Sequence, residues 1–386
     1  MPKQGHSTEN TDMSDKPSIC IVSHNAYGTF SRKGGHIGGV EWQTSLLARW
    51  LANKGYRISL LTWDEGGGDD EMIDGVRVIK ICPKNKGLPI VRFIYPRWTG
   101  LIRALRIADS DIYYHNCAEC VTGQIALWCS SHHRSFIFSA ANDMDCDAAL
   151  PDLHTWREKM LYRYGIKAAD GIIVQTRTQQ VRMLETLGRN SVVIPMPCKE
   201  PNNTDQVVRE RPVSSRILWI GRICPFKRPG LLLELARANP DMSIDLVGPG
   251  GLDAFSLNIM KEAQGLGNVR IHGAVSRERA YEFYRNALCL LCTSEREGFP
   301  NTFLEAWSCG LPIISTFDPD QVIAQEKLGI VAQDAKGLAF GIRRLMAQED
   351  YYARCSENAV TYFYANHAAE ASLPRFEREF LKLYKE

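Results

Sequence analysis

Two acidic side chains eight positions apart, Glu297 and Glu305, lie in the stretch TSEREGFPNTFLEAWSCGLPIIST over residues 293–316. An apolar run ends near Cys292, and Glu297, Gly298, Phe299, Pro300 and Asn301 read as a turn. A helix is expected from about Asn301 to Cys309, with Thr302 at its start, Gly310 as its terminator and Leu311-Pro312 opening the next strand. Glu297 then precedes the helix, where a carboxylate can accept bonds from sugar hydroxyls. Glu305, about one turn in, can accept a ribose diol. N–H groups at the helix start can hold phosphate between the two. One ligand with sugar, diphosphate and ribose zones fits that spacing. The plainer reading is a helix whose early acid complements its dipole.

A second loop, GRICPFKRP, places Arg222, Lys227 and Arg228 between a strand and a helix. Cations grouped at a strand end form a clamp for pyrophosphate. Solvated surface charge is the bland alternative, and position at the carboxyl end of a strand favours the clamp. A third loop, His24–Gly39, ends in GGHIGGV with Gly38 and Gly39 just before Glu41. Glycines allow close approach of backbone to a ligand, although the spacing is not GxGxxG.

The elements that must carry these loops alternate along the chain. Strand signals fall at Ser18–Ser23, Arg57–Thr62, Gly75–Ile81, Ser135–Ser139 and Gly171–Gln175, with helix-patterned segments such as Val40–Lys54 between them. The stretch IPMPCKEPNNTDQVVRERPVSS from residue 194 onward breaks the pattern and reads as a linker. Strands then resume at Arg216–Ile220, Ser243–Val247, Val269–His272, Ala287–Cys292 and Pro312–Ser315, with a helix at Pro229–Ala238. This alternation predicts an α/β protein with two parallel-sheet halves and a cleft between them. In such sheets ligands bind outside the carboxyl ends of the strands. The last stretch, Leu373–Tyr384, reads as a charged, aromatic helix.

At 386 residues, 45% hydrophobic and 23% charged, the chain has material for two cores. The net charge of +2 gives no reason to expect a nucleic-acid partner, so charged partners must be sought in local patches. Residues 1–16 are polar, cannot act as a signal peptide, and read as a disordered tail. No run approaches the roughly 18 apolar residues of a membrane span, so a cytoplasmic location is expected. Cys20, Cys289 and Cys292 lie inside apolar runs, where a free thiol behaves as a small hydrophobe. A zinc site from His115, Cys117 and Cys120, with His132 and His133 nearby, lacks the paired ligand spacing. Asp143-Met144-Asp145 and Asp145-Cys146-Asp147 spell DxD, a short motif that chance supplies.

Together EGFPNTFLEAWSCGLPIIST, GRICPFKRP, SIDLVGPG, AADGIIVQTRTQQ with Asp170, and GGVEWQTSLLARWLANKGYRISLLT resemble glycosyltransferase family 4 over roughly residues 18–385. The resemblance implies the GT-B fold: two Rossmann-like domains facing each other across a cleft, with the C-terminal helix crossing back. The domains would be 17–200 plus about 370–386, an acceptor domain, and 201–369, a nucleotide-sugar donor domain. Arg222 and Lys227 would hold the donor diphosphate, Glu297 the sugar and Glu305 the ribose, and Gly38-Gly39 would approach the phosphates. Arg222, Lys227 and Glu297 would be the catalytic set. The donor contacts would also include Gly298, Phe299, Pro300, Asn301 and Thr302. Transfer would proceed with retention and without a metal or other cofactor. One departure is visible: where the family often carries His-Asp, this chain reads SAANDMDCD, placing Asn142-Asp143 there. His115, from YYHNC, and Asp143 are then candidates for the sugar contacts of that missing histidine.

Between Gly75 and Ala108 stand eight basic residues and no acid: Arg77, Lys80, Lys84, Lys86, Arg92, Arg97, Arg103 and Arg106. Phe93, Tyr95 and Trp98 interleave with them. Trp98, Leu101, Ile102 and Leu105 share a helix face that suits burial on the sheet. The cation-rich loop before it suits an anionic membrane surface or a lipid-linked diphosphate acceptor. The sequence thus reads as a hexosyltransferase moving sugar from a nucleotide sugar to a saccharide or lipid-linked acceptor, in polysaccharide or glycolipid biosynthesis, peripheral at the inner face of a membrane. A non-catalytic nucleotide-sugar scaffold or a nucleotide-sugar epimerase of the same fold is the alternative.

Overall fold

The computed structural model describes residues 16–31, 38–89, 91–200 and 215–385. The expected tail, Lys16 apart, and residues 201–214 of the expected linker lie outside them. The chain forms two compact units: Met1–Ser139 with Leu153–Ile172 and Glu377–Glu386, and Ala140–Asp152 with Ile173–Phe376.

The first sheet has eight strands: β1 (Ile19–Val22), β2 (Ile58–Asp64), β3 (Asp70–Ile73), β4 (Val76–Pro83), β5 (Ile112–Asn116), β6 (Ser135–Ser139), β7 (Gly171–Val174) and β8 (Val192–Val193). Their order is β3-β4-β2-β1-β5-β6-β7-β8. β1 lies parallel to both β2 and β5. Its four residues ICIV are all buried, as expected of a central strand covered by helices on both faces. The helices associated with this sheet are α1 (Ala26–Ser31), α2 (Gly39–Asn53), α3 (Thr99–Ala108), α4 (Cys120–His132), α5 (Trp156–Ala168) and α6 (Arg177–Leu187). Thr155 starts α5 with a capping box to Glu158. In α3, Leu101 and Leu105 are buried, as the shared face implied, while Ile102 and Trp98 are only half-buried.

The second sheet comprises β9 (Ile217–Ile220), β10 (Ile244–Val247), β11 (Val269–Gly273), β12 (Cys289–Cys292), β13 (Ile313–Ser315) and β14 (Gly329–Val331). It runs β11-β10-β9-β12-β13-β14, parallel throughout. Helices α7 (Pro229–Ala238), α8 (Ala254–Gln264), α9 (Arg277–Asn286), α10 (Asn301–Ser308), α11 (Val322–Gln325), α12 (Ala335–Ala347), α13 (Glu349–Asn366) and α14 (Ala369–Lys385) complete the chain. Leu232, Leu235, Leu338 and Ile342 pack on Ile217, Ile244 and Leu291 to make this core. Within the first unit, the end of α14 docks through Glu377, which accepts from Tyr56 Oη at 2.8 Å, and through Phe380 edge-on to Tyr114.

The α/β class and both parallel sheets agree with the alternation of apolar runs. Three local features differ from it. The loop after β1 contains α1, a short helix with five buried residues. Strand β3 is antiparallel to β4, joined through Asp74 and Gly75 at φ of 48° and 78°. The dipeptide Asp-Gly between extended segments is the signal for that hairpin. β8 and β14 are short, and periodicity gave no sign of them.

Candidate functional site

In the second sheet β9 has β10 and β11 on one side and β12 on the other. Consecutive connections therefore leave β9 in opposite directions, and the loops after β9 and β12 flank a crevice of the kind where α/β sheets bind ligands. The loop after β9 closes in a short 3-10 turn, Pro225–Lys227, and Arg228 at φ 48° starts α7. The two loops are laced together. Trp219 Nε1 donates to Thr293 Oγ1 at 3.0 Å, Thr293 Oγ1 donates to the Lys227 carbonyl at 2.6 Å, and Glu295 N donates to the Phe226 carbonyl at 2.8 Å. Lys227 Nζ and Glu297 Oε1 form an ion pair, both side chains being mostly buried. Arg222, earlier in the loop after β9, is exposed, with no side-chain partner among the described residues. Gly248 of SIDLVGPG, at φ 136°, lets the loop after β10 pass; a Cβ there would fall 1.9 Å from the Gly221 carbonyl oxygen.

Glu305 is buried one turn into α10. Its Oε2 accepts from Tyr284 Oη at 2.6 Å, and its Oε1 lies 2.6 Å from Arg277 Nη2. Burial first, and then the neighbouring carboxylate, push the Tyr284 phenol well above its usual range. Arg277 and Tyr284 went unmarked in the sequence. Their seven-residue spacing on one face of α9 was the available sign.

The turn between Glu297 and α10 packs against the segment after β6. A Cβ on Gly298 would lie 2.4 Å from the Ala141 carbonyl oxygen. Gln175 brackets this contact, donating to the carbonyls of Ala140 and Ala141 at 3.2 and 3.0 Å and accepting from Phe299 N at 3.1 Å. Phe299 and Pro300 are buried, and Asn301 and Thr302 open α10 half-buried. The structure thus brings Asn142 beside Gly298, but its side chain is engaged. Asn142 Oδ1 accepts from Met144 N and Asp145 N, capping a 3-10 turn. Asp143 accepts from Gln179 Nε2 at 3.0 Å, and burial raises its pKa. Asp145 accepts from Ala141 N and Asn142 N. The Asp145 carboxylate therefore holds the turn together, and the Asp143 carboxylate ties it to α6. Among the described residues no three His, Cys, Asp or Glu side chains are grouped to hold a metal ion.

In the first unit Gly38 caps α2 with extended backbone and Gly39 is its first residue. His115 lies inside β5 rather than past it and is buried, with Nδ1 3.2 Å from Thr122 Oγ1. Burial lowers its pKa to about 4, so the ring is neutral near pH 7. A pair that the sequence reading missed stands beside it. His24 Nδ1 is 2.8 Å from Glu119 Oε2, and the His24 ring stacks on Trp63 at 4.1 Å. Glu119 also lies 4.0 Å from His115 Nε2. Burial alone would favour the neutral carboxyl, yet His24 outweighs it and holds the Glu119 pKa at about 2. His24 follows β1 and Glu119 follows β5, the two strands at which the first sheet reverses direction. The direct sequence SICIVSH was the sign available for His24.

Two Rossmann-like units with these loops at their strand ends make the GT-B class of α/β protein. Residues 203–361 match the family described as glycosyl transferases group 1, and residues 38–198 match a glycosyl transferase 4-like domain. The chain belongs to the group 1 glycosyltransferases. Its fold is similar to that of sucrose-phosphate synthase from Thermosynechococcus elongatus, with TM-score 0.78 and 17% identity over 96% of this chain and 100% of that one. It is also similar to Anabaena HepE, solved in complex with UDP and glucose, with TM-score 0.71 and 13% identity over 94% and 99% of the two chains. A D-inositol 3-phosphate glycosyltransferase from Mycolicibacterium gilvum is 31% identical over 27% of this chain and 25% of its own length. The chain spans about a quarter of the length of the first curated relatives it matches.

Proposed function

We propose that the chain transfers a hexose from a nucleotide diphosphate sugar to a saccharide or lipid-linked acceptor, with retention and without a metal, in polysaccharide or glycolipid biosynthesis. The observation that carries this reading is the Lys227–Glu297 pair at the crevice beside β9, with Glu305 one turn further along α10. The ammonium has donors to spare for a diphosphate, and the carboxylate has acceptors for sugar hydroxyls. Negative charge grows on the leaving diphosphate, and Lys227, Arg222 and the start of α10 stabilise it most in the transition state. HepE, of the same fold, was solved with UDP and glucose, which supports a nucleotide-sugar donor here. In the first unit the acceptor hydroxyl is assigned to His24, whose orientation Glu119 fixes. The test is to incubate the chain with UDP-, GDP- and ADP-sugars and follow nucleotide release and the anomeric configuration of the product. Release from none of them, or activity abolished by EDTA, overturns the respective part of the reading. Intact diphosphate with a changed sugar would reveal an epimerase.

A membrane surface as partner is supported by exposed apolar side chains set among the basic residues 77–106. Leu88, Val91, Ile94 and Tyr95 are exposed there. The exposed Trp156, Met160 and Tyr164 form one stripe of α5, and Arg157 stacks on Phe93 at 3.8 Å, joining the two. Such a surface suits the interface of an anionic bilayer. Among the described residues no helix is long and apolar enough to cross a membrane. Sedimentation with phosphatidylglycerol vesicles, absent with phosphatidylcholine vesicles, is the expected result; equal binding to both overturns it.

A further inference from the structure

Glu305 meets a different partner at each carboxylate oxygen: Arg277 Nη2 lies 2.6 Å from Oε1, and Tyr284 Oη donates to Oε2 at 2.6 Å. Both partners come from α9, seven residues apart and so on one face of the helix. Nothing in α9 itself accounts for Arg277. It is the first residue of the helix, where the dipole favours an acid such as Glu278 and disfavours a cation. Ser276 already caps that end, its Oγ accepting from Arg279 N at 3.3 Å. The Arg277 side chain is only 19% exposed and that of Glu305 10%, so water does little to hold either charge. Burial works against the guanidinium charge, yet the Glu305 carboxylate outweighs it and raises the Arg277 pKa. Glu305 is thus the partner that explains an arginine at this position.

The way the two contacts are shared has a chemical consequence. An arginine fork often takes both oxygens of a carboxylate at once. Here Arg277 is close to one oxygen and Tyr284 holds the other. A carboxylate has about four acceptor positions, so each oxygen keeps capacity for one more donor. Tyr284 alone would leave the carboxylate free to turn about its bond to Oε2. The second contact, at Oε1, stops that rotation and fixes the plane. Two acceptors in a fixed plane match the two hydroxyls of a vicinal diol, each of which donates.

We propose that Arg277 is a positioning residue that fixes the plane of the Glu305 carboxylate and thereby sets how strongly the ribose of the donor nucleotide is distinguished from a deoxyribose. The proposal rests on the reading above, in which Glu305 receives the ribose.

The test is calorimetric titration of the full chain with UDP, GDP and ADP, each beside its 2′-deoxy counterpart. The quantity read is the ratio of the two dissociation constants, which a general loss of fold or affinity does not move. In the unaltered chain the deoxy form should bind about 10- to 100-fold more weakly, the range of one charge-assisted hydrogen bond. Arg277→Met should bring the ratio below about 3-fold. Arg277→Lys keeps the charge without the planar fork and should give an intermediate ratio. Tyr281→Phe is the control, since Tyr281 lies one turn along the same helix and its Oη donates to the Lys199 carbonyl at 3.0 Å. It should keep the ratio of the unaltered chain. A ratio unchanged in Arg277→Met, with both ligands weakened alike, makes Arg277 a structural residue and overturns the proposal. If Arg277→Met does not fold, a ratio unchanged in Arg277→Lys overturns it. A ratio lost equally in Tyr281→Phe marks a general loosening of α9 and overturns it too. The unaltered chain tests the underlying reading separately: a ratio near 1 for every pair, or no binding, removes the ribose role of Glu305 itself. A high ratio there, unaffected by Arg277, leaves that role standing and removes only the role of Arg277.

Discussion

Lys227 and Glu297 meet as an ion pair across 70 positions of sequence, each at the carboxyl end of a strand of the same sheet. The pair keeps two opposite charges satisfied in the crevice proposed here for the donor. Replacing Lys227 by alanine leaves Glu297 in place and removes the cation proposed to face the diphosphate. A charge-assisted hydrogen bond contributes about 1.5–3 kcal/mol, so Lys227→Ala should lower turnover about 10- to 100-fold. Steady-state kinetics at saturating donor checks this, and unchanged turnover removes Lys227 from the proposed catalytic set.

Gly298→Ala should destabilise the second unit. The added Cβ would lie 2.4 Å from the Ala141 carbonyl oxygen, so backbone must shift. Overpacking of that kind costs about 1–3 kcal/mol. Gly230→Ala, in the first turn of α7 with nothing within 4 Å, is the control. It should be neutral or stabilising by up to about 1 kcal/mol. Denaturant melts of the two variants measure the difference, and equal stabilities would contradict it.

Glu305 has a partner on each oxygen, and two substitutions separate structure from binding. Glu305→Gln leaves the Arg277 charge without its carboxylate, which should cost about 3 kcal/mol of stability. Tyr284→Phe removes one neutral donor and should cost about 1 kcal/mol. If Glu305 also holds the ribose, the donor KM rises in Glu305→Gln by far more than in Tyr284→Phe. Equal KM values in the two variants would reject the ribose role and leave a structural one.

His115 and His367 are buried to 2% and 1% exposure, and burial lowers both pKa values from 6.5 to about 4. Both folded-state values lie below the unfolded one, so the stabilising effect is complete above about pH 6.5. It is lost as pH falls from there towards 4, because the unfolded chain takes up protons that the folded chain refuses. Each histidine contributes about 3 kcal/mol on this scale. Thermal melts from pH 7.5 to 4.5 should show a falling Tm, and His115→Gln should flatten the part belonging to the first unit. A Tm independent of pH over that range would contradict the assignment.

The sequence by itself determined the class of fold and which strand-end loops carry the candidate site. Runs such as SICIVS, RILWI and CLLC are apolar on both faces, and their alternation with helical segments points to a parallel sheet covered by helices. Glu297, Lys227 and the turn Gly298–Asn301 were legible because each lies next to a strand end, a local property. What the tertiary structure decided is which distant residues meet. His24 finds Glu119 across 95 positions because β1 and β5 are neighbours at the reversal of the first sheet. Glu305 finds Arg277 and Tyr284 because α9 and α10 pack together in the second unit. Asn142 and Asp143 stand where the family often carries His-Asp, and the tertiary structure engages them in hydrogen bonds with Met144, Asp145 and Gln179. Sequence patterns record the periodicity of single elements. Strand order, and with it the partner of every side chain at a strand end, is fixed only when the crossovers close and the helices are buried together.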